Sequence, residues 1–361
     1  MRLKSLKLHS FRNYTESIIS FDKEVNVISG ENGQGKTNLL EAIYYLGLTQ
    51  SFRASMDQEC LNHQDKSPYF DISGTFINQH ELEQDVRVYF SKKEKKHLFV
   101  DGQRERKFKD HVGMLPMVLL KPDDLKLTYG SPGIRRKFVD ILLSQLSPVY
   151  MNDLMRYSRA LKHKNALLVS DSTDKETLRL WNTQLLEYGK RVIRKRYEIL
   201  NELEHYVQEY YPMISGKNEQ TRVKYMSFFS NVETIEDEFK QKLEQNEEKE
   251  VRYKRALIGP HRDDIGFFIN KKSVGSFGSQ GENKTFLISL KLAEIQLFSV
   301  YVEEKPMLLF DDIFSELDNT RVERLLAQLK HFGQTFITTT DKNLVKETPV
   351  HHIEIENGAC V

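Results

Sequence analysis

The chain has 361 residues, enough for two lobes or for one unit carrying an insertion. Its 53 Lys and Arg against 52 Asp and Glu leave a formal charge of +1. That excludes a globally basic nucleic-acid binder and leaves such contacts to local patches. Two cysteines, Cys60 and Cys360, make neither a disulfide framework nor a zinc spacing.

The opening MRLKSLKLHSF has no apolar run of signal-peptide length, so a cytoplasmic protein is expected. The first 110 or so residues read as β-rich. Val25, Val27 and Ile28 form a short buried strand running into Gly30. Phe70, Ile72, Gly74 and Phe76 keep a two-residue period, as do Val86, Val88 and Phe90. Asp101-Gly102 signals a two-residue hairpin. Pro122, Pro132 and Gly133 punctuate the change to a helical pattern from Arg135 to about Tyr210. An acidic run, 233–250, precedes turn-and-strand texture at GPHRDDIGFFIN. The end reads helix (283–301), strand (MLLF), helix (321–329), strand (TFITTT). The richest apolar stretch, Phe286 to Val302, carries Lys291 and Glu294, so it is an amphipathic helix and no membrane span is expected. The expected architecture is an α/β head built from both chain ends (1–125 and 251–361) with a mainly helical lobe, 126–250, inserted between them.

GENGQGKT, residues 30–37, matches G-x-x-x-x-G-K-[ST], with a strand before it and a helix after it. Leu39, Leu40, Ile43 and Leu46 mark that helix's expected buried face. The loop Gly30, Glu31, Asn32, Gly33, Gln34, Gly35, Lys36, Thr37 is expected to cradle the phosphates of ATP. Gly33 and Gly35 let backbone N–H groups turn inward as an anion nest, and the helix N-terminus adds its dipole. Lys36 faces the β- and γ-phosphates, and the Thr37 hydroxyl ligates Mg²⁺. A phosphate loop of this kind demands a second strand ending in acid, and Met-Leu-Leu-Phe-Asp311-Asp312 supplies it. Asp311 is assigned to the metal. Asp312 takes the place where a carboxylate orients or deprotonates the attacking water.

Further stretches carry a family resemblance. SELD (315–318) looks like the D-loop of ABC-type ATPases, and FGSQGENKTFLISLKLAE (277–294) occupies the place of their signature motif and helix. FRNY (11–14), LKPDDLKLTYGSPGIRRKFVD (120–140) and GPHRDD (259–264) narrow the match. Together they resemble the RecF-like family of bacterial recombination mediators, relatives of SMC heads without coiled-coil arms. The resemblance spans essentially the whole chain. It implies an ABC-ATPase-like head and a weak, Mg²⁺-dependent, DNA-stimulated ATPase of gap repair. It also implies an ATP-dependent homodimer that works with RecO and RecR to load RecA on gapped DNA, with roles in replication restart and the SOS response. Ser279, Gln280 and Gly281 would then bind a γ-phosphate in trans, and Arg12 would lie near the nucleotide. Gln50 and the KPDD turn (121–124) are candidates for a lobe-coupling loop. The chain departs from the transporter pattern: Thr338-Thr339-Thr340-Asp341 supplies no switch histidine.

Ser279 and Glu282 also form a capping-box pattern, which a plain helix start would explain. His261, Arg262 and Asp263 read as a buried structural cluster rather than a catalytic set. For DNA, the segment from Arg87 to Lys109 is rich in Lys and Arg, and Lys92, Lys93, Lys95 and Lys96 are expected to crown a hairpin. Arg191, Arg194, Lys195 and Arg196 make a second candidate. A P-loop kinase or GTPase would leave SELD and the signature stretch unexplained. A transporter ATPase subunit and a DNA-binding scaffold with a vestigial ATP site are the other rivals. The intact Lys36, Thr37, Asp311 and Asp312 weigh against the scaffold.

Overall fold

The computed structural model describes all residues except 66, 106, 171–173, 315–316, 330–331 and 341–349. It divides into two compact units, Met1–Asp124 with Glu294–Val361, and Leu125–Ala293.

The first unit holds two six-stranded sheets. One is antiparallel, with neighbours in the order Tyr14–Ser20, Arg2–Phe11, Tyr69–Ile77, Glu83–Ser91, Lys95–Val100, Gln103–Glu105. Its strands alternate buried and outward residues, so Phe70, Ile72 and Phe76 face the core with Val86 and Val88. Asp101 and Gly102 both adopt positive φ, 49° and 75°, the twist that a two-residue hairpin needs. The other sheet runs Ala359–Cys360, His351–Glu356, Val25–Ser29, Thr335–Thr339, Met307–Asp311, Met117–Leu120. All its pairings are parallel except that of the terminal Ala359–Cys360 strand. The Met307–Asp311 and Thr335–Thr339 strands are buried at every position, which is why they read as unbroken apolar or Thr-rich runs.

Both chain ends build this unit. Val25–Ser29 lies between two C-terminal strands, and Leu3 exchanges hydrogen bonds with Gln334, its N–H donating to Oε1 at 2.6 Å. The helix Lys36–Leu48 touches strands of both sheets. It is therefore buried nearly all round, more widely than the single face that Leu39, Leu40, Ile43 and Leu46 suggest.

The second unit packs the helices Pro132–Leu146, Pro148–Val169, Lys175–Ser215 and Ile235–Tyr253 with a three-stranded antiparallel sheet, ordered Lys272–Ser273, Asp264–Ile269, Thr221–Met226. The expected lobe edge at 125/126 falls one residue from the observed division. The expected edge at 250/251 does not coincide with one, because Asp264–Ile269 pairs along its length with Thr221–Met226 and keeps the chain in this unit to Ala293. GPHRDD is spent inside it. The Pro260 carbonyl accepts from Arg196, His261 Nδ1 meets the Tyr157 hydroxyl at 2.5 Å, and Asp263 accepts from Tyr225 and Ser227. Asp264 receives a two-pronged Arg135. Lys164 and Glu250 form an ion pair at 2.6 Å with both side chains fully buried.

Candidate functional site

The phosphate loop leaves the C-terminal end of the Val25–Ser29 strand and enters the helix Lys36–Leu48. Gly30, Gly33 and Gly35 have φ of 152°, 84° and 117°, a conformation that side chains rarely tolerate. At Gly30 the space is also closed, since an added Cβ would stand 2.4 Å from the Ile355 carbonyl oxygen. The loop curls around Lys36, whose ammonium donates to the Gly30 and Glu31 carbonyls at 2.8 Å each. Desolvation pulls the Lys36 pKa below the ordinary lysine value, with Asp312 and Asp311 acting in the opposite direction.

Thr37 opens the same helix, and Asp311 ends a strand 274 residues later. They meet with Oγ1 donating to Oδ1 at 2.8 Å. The Thr338 hydroxyl, opposite Asp311 on the neighbouring strand, donates to the same oxygen at 2.9 Å and accepts from the Asp312 N–H at 2.9 Å. Asp312 carries a left-handed φ of 49°, which Asp tolerates better than most residues. Mg²⁺ takes oxygen ligands, and the Thr37 hydroxyl and the Asp311 carboxylate stand side by side here, so these two residues would suit it. A cavity of about 320 Å³ opens here, lined by Asn32, Gly33, Gly35, Lys36, Thr37, Asn38, Arg53, Asp312 and Thr338.

Arg12 does not line that cavity. Its guanidinium makes a two-pronged pair with Glu41, 2.8 and 2.5 Å, and donates to the Glu59 carbonyl at 2.7 Å. Glu41 is a fully buried carboxylate on a helix wedged between sheets, and it needs that countercharge. The rest of FRNY buttresses the loop from behind. Asn13 donates to the Gln34 carbonyl at 2.9 Å, and the Tyr14 hydroxyl donates to the Gly35 carbonyl at 3.0 Å. On the other side, the Asn357 and Gly358 N–H groups donate to the Gln34 side chain and carbonyl. Arg53, Asn38 and Thr338 line the cavity without having been expected from the sequence. Asn38 directly follows the motif, which is a usable signal. No spacing points to Arg53.

Ser279 and Glu282 exchange both bonds of a capping box at the start of the helix Gln280–Tyr301, at 2.7 and 3.2 Å. Ser279 and Gln280 are exposed, and Gly281 is half-buried. Of SELD, residues 315 and 316 lie outside the described residues, as does Asp341. Asp318 caps the next helix by accepting from the Arg321 N–H at 3.1 Å.

The hairpin joining Glu83–Ser91 to Lys95–Val100 does carry Lys92, Lys93 and Lys95 exposed at its tip. Lys96 is a correction. It turns inward, donating to the Thr49 carbonyl at 2.7 Å and pairing with Asp57 at 3.2 Å, between the Tyr45 and Phe108 rings. Arg196 is another. It is buried in a two-pronged pair with Asp140 because its helix turns that face to the core of the second unit. Arg191 bridges Glu187 and Asp153, and Lys195 pairs with Glu198, while both stay about half exposed. Arg194 is exposed.

Residues 2–357 match the family described as RecF/RecN/SMC N terminal domain. The chain is 39% identical over 366 residues to the DNA replication and repair protein RecF of Streptococcus gordonii, covering 99% of each. It is 39% identical over 367 residues to the protein of that name in Halalkalibacterium halodurans, covering 98% of each. A solved structure described as recombination mediator protein RecF-ATP in the RecFOR pathway is similar with a TM-score of 0.91 and 30% identity, over 99% of this chain and 96% of that one. An SmcHead bound to the C-winged helix domain of ScpA shares the fold at a TM-score of 0.60 and 17% identity, over 100% and 96%. With the match running almost end to end, the chain belongs to the RecF/RecN/SMC N-terminal domain family and, within it, to the RecF proteins.

Proposed function

We propose that this chain is an ATP-dependent DNA-binding protein of recombinational gap repair, a slow ATPase in which nucleotide controls dimerisation on DNA. The observation that carries the reading is the meeting of Thr37 and Asp311, from opposite ends of the chain, in a cavity that also holds Lys36 and Asp312. By analogy with its RecF relatives, it acts in the cytoplasm with RecO and RecR to load RecA on gapped DNA, with roles in replication restart and the SOS response.

The roles divide as follows. The loop Gly30 to Thr37 binds the triphosphate of ATP through backbone N–H groups and the helix N-terminus. Lys36 exchanges its two carbonyl partners for β- and γ-phosphate oxygens. Thr37 and Asp311 would hold Mg²⁺, which when bound would neutralise charge on the phosphates. Asp312 orients the attacking water and accepts its proton. Arg12 supports the site through its two-pronged pair with Glu41. The first unit is the head that binds ATP, and the second presents Ser279, Gln280 and Gly281 to the γ-phosphate of a second copy. Lys92, Lys93 and Lys95 contact DNA phosphates, with Arg191, Arg194 and Lys195 as a further patch. Hydrolysis releases the DNA, so ATP acts as a timer.

Light scattering on gel-filtered protein tests the scheme. The expected result is a monomer alone and a dimer with ATP·Mg²⁺ that gapped DNA reinforces. A chain that binds ATP yet stays monomeric under every condition overturns it.

A further inference from the structure

Arg53 is the second cation lining the cavity, and it sits on an exposed loop. A long side chain in such a place has many rotamers to lose. Two hydrogen-bonded chains nevertheless converge on it, and both start at the Arg12-Asn13 turn.

The first chain is made of side-chain amides. The Arg53 guanidinium donates to Asn38 Oδ1 at 2.9 Å. Asn38 Nδ2 donates to Asn13 Oδ1 at 2.8 Å, and Asn13 Nδ2 donates to the Gln34 carbonyl at 2.9 Å. A guanidinium can only donate and a carbonyl can only accept, so the orientation of both amides is fixed from the two ends. The second chain is charged. Arg12 holds Glu41 two-pronged, and Glu41 accepts the Ser51 hydroxyl. The Ser51 oxygen in turn accepts the N–H groups of Arg53 at 2.8 Å and Ala54 at 2.6 Å. One chain fixes the head of the side chain, and the other fixes its backbone.

We propose that Asn13 and Ser51 are positioning residues for Arg53, and that through them the Arg12-Asn13 turn couples the tip of the phosphate loop at Gln34 to the placement of this cation over the phosphates. This rests on the ATPase reading above. The ligand chemistry is that of a nucleoside triphosphate, whose terminal phosphate gains charge contacts only when the guanidinium is already in place. A purely structural role for the turn would instead appear as lost stability, with no selective effect on turnover.

The test measures ATP affinity by calorimetry, single-turnover hydrolysis and melting temperature on the full chain with ATP·Mg²⁺. The variants are Ser51→Ala, Asn13→Ala, Arg53→Ala, and each of the first two combined with the third. Ser51→Ala and Asn13→Ala are expected to slow hydrolysis at least about tenfold, below the usual effect of deleting a preorganised donor, and Ser51→Ala, which touches no residue of the phosphate loop, should keep ATP affinity within about threefold of wild type. Each double variant should be no slower than Arg53→Ala alone, and Ser51→Thr should restore the rate. Losses that multiply in the double variants overturn the proposal, as does a single variant that turns over like wild type. Asn13→Ala leaves no buried charge exposed, so it decides the matter if Ser51→Ala fails to fold. A wild-type chain that binds no ATP would instead overturn the ATPase reading itself, before any variant is compared.

Discussion

At the scale of single residues, the proposed roles separate binding from chemistry. Lys36→Ala removes the desolvated ammonium that stands between the loop and the two carboxylates. ATP affinity should fall at least about tenfold by calorimetry, consistent with losing one charge-assisted contact. Equal affinity would remove Lys36 from the phosphate site. Asp312→Asn keeps shape but cannot take a proton. Turnover should drop at least about tenfold while ATP still binds, and unchanged turnover would move the proton acceptor elsewhere. Arg12→Ala strands the buried Glu41 and should cost about 3 kcal/mol of stability, measured by urea unfolding. His261 supplies a pH signature. Burial holds its pKa at about 4 against an ordinary 6.5, and the nearby cations Arg262, Lys164 and Arg136 act in the same direction, while the hydrogen bond to Ala256 opposes them. Below about pH 6.5 the unfolded chain takes up a proton that the folded chain refuses, so stability falls as pH drops towards about 4. The melting temperature should fall between neutral pH and about pH 5, and His261→Gln should narrow that fall. An equally steep fall in the variant would place the titration on other groups.

At the scale of elements, the Lys92–Lys95 hairpin tip is the test of local charge. Its strands are fixed by pairing along the antiparallel sheet, so the tip can be altered without touching the core. Replacing Lys92, Lys93 and Lys95 by Ala should weaken DNA binding across sequences. It should also flatten the log–log salt dependence by roughly 0.9 per lost phosphate contact on duplex. An unaltered slope would mean that these lysines are only solvated, and Arg191, Arg194 and Lys195 would come next. Lys96 belongs in a separate variant, because its ammonium ties the end of the Lys36–Leu48 helix to Asp57.

At the scale of the whole molecule, the proposed mechanism needs two copies. The helix starting at Gln280 presents an exposed N-terminus, capped by Ser279 and Glu282, and in the proposed mechanism its positive dipole end meets a phosphate brought by a partner. Ser279→Arg should leave ATP binding by the monomer intact while abolishing ATP-induced dimers and most hydrolysis. Mixed with Lys36→Ala, it should regain part of the activity, because one composite site of the heterodimer has both wild-type halves. If Ser279→Arg dimerises with ATP and turns over like wild type, the signature helix does not touch nucleotide.

The nucleotide loop, the acidic strand end and the family were legible in the sequence. Their signals are local: glycines where the backbone needs positive φ, a Lys-Thr pair opening a helix, and an apolar run ending in two acids. Strand alternation and the hairpin at Asp101-Gly102 were legible for the same reason, because a period of two and a turn dipeptide are short-range properties. The fate of individual cations was not. Lys92 and Lys96 look alike in one basic run, but only the second turns inward against Tyr45 and Asp57. Arg194 and Arg196 lie two positions apart on one helix, which puts them on different faces, and only Arg196 meets Asp140. Arg12 faces a carboxylate 29 positions away, and Arg53 lines the cavity with its guanidinium on Asn38 and its backbone N–H on Ser51. Such pairings depend on which elements pack together. Tertiary structure alone decided them, because a charge reads the same in sequence whether its partner is water, a buried acid or a phosphate.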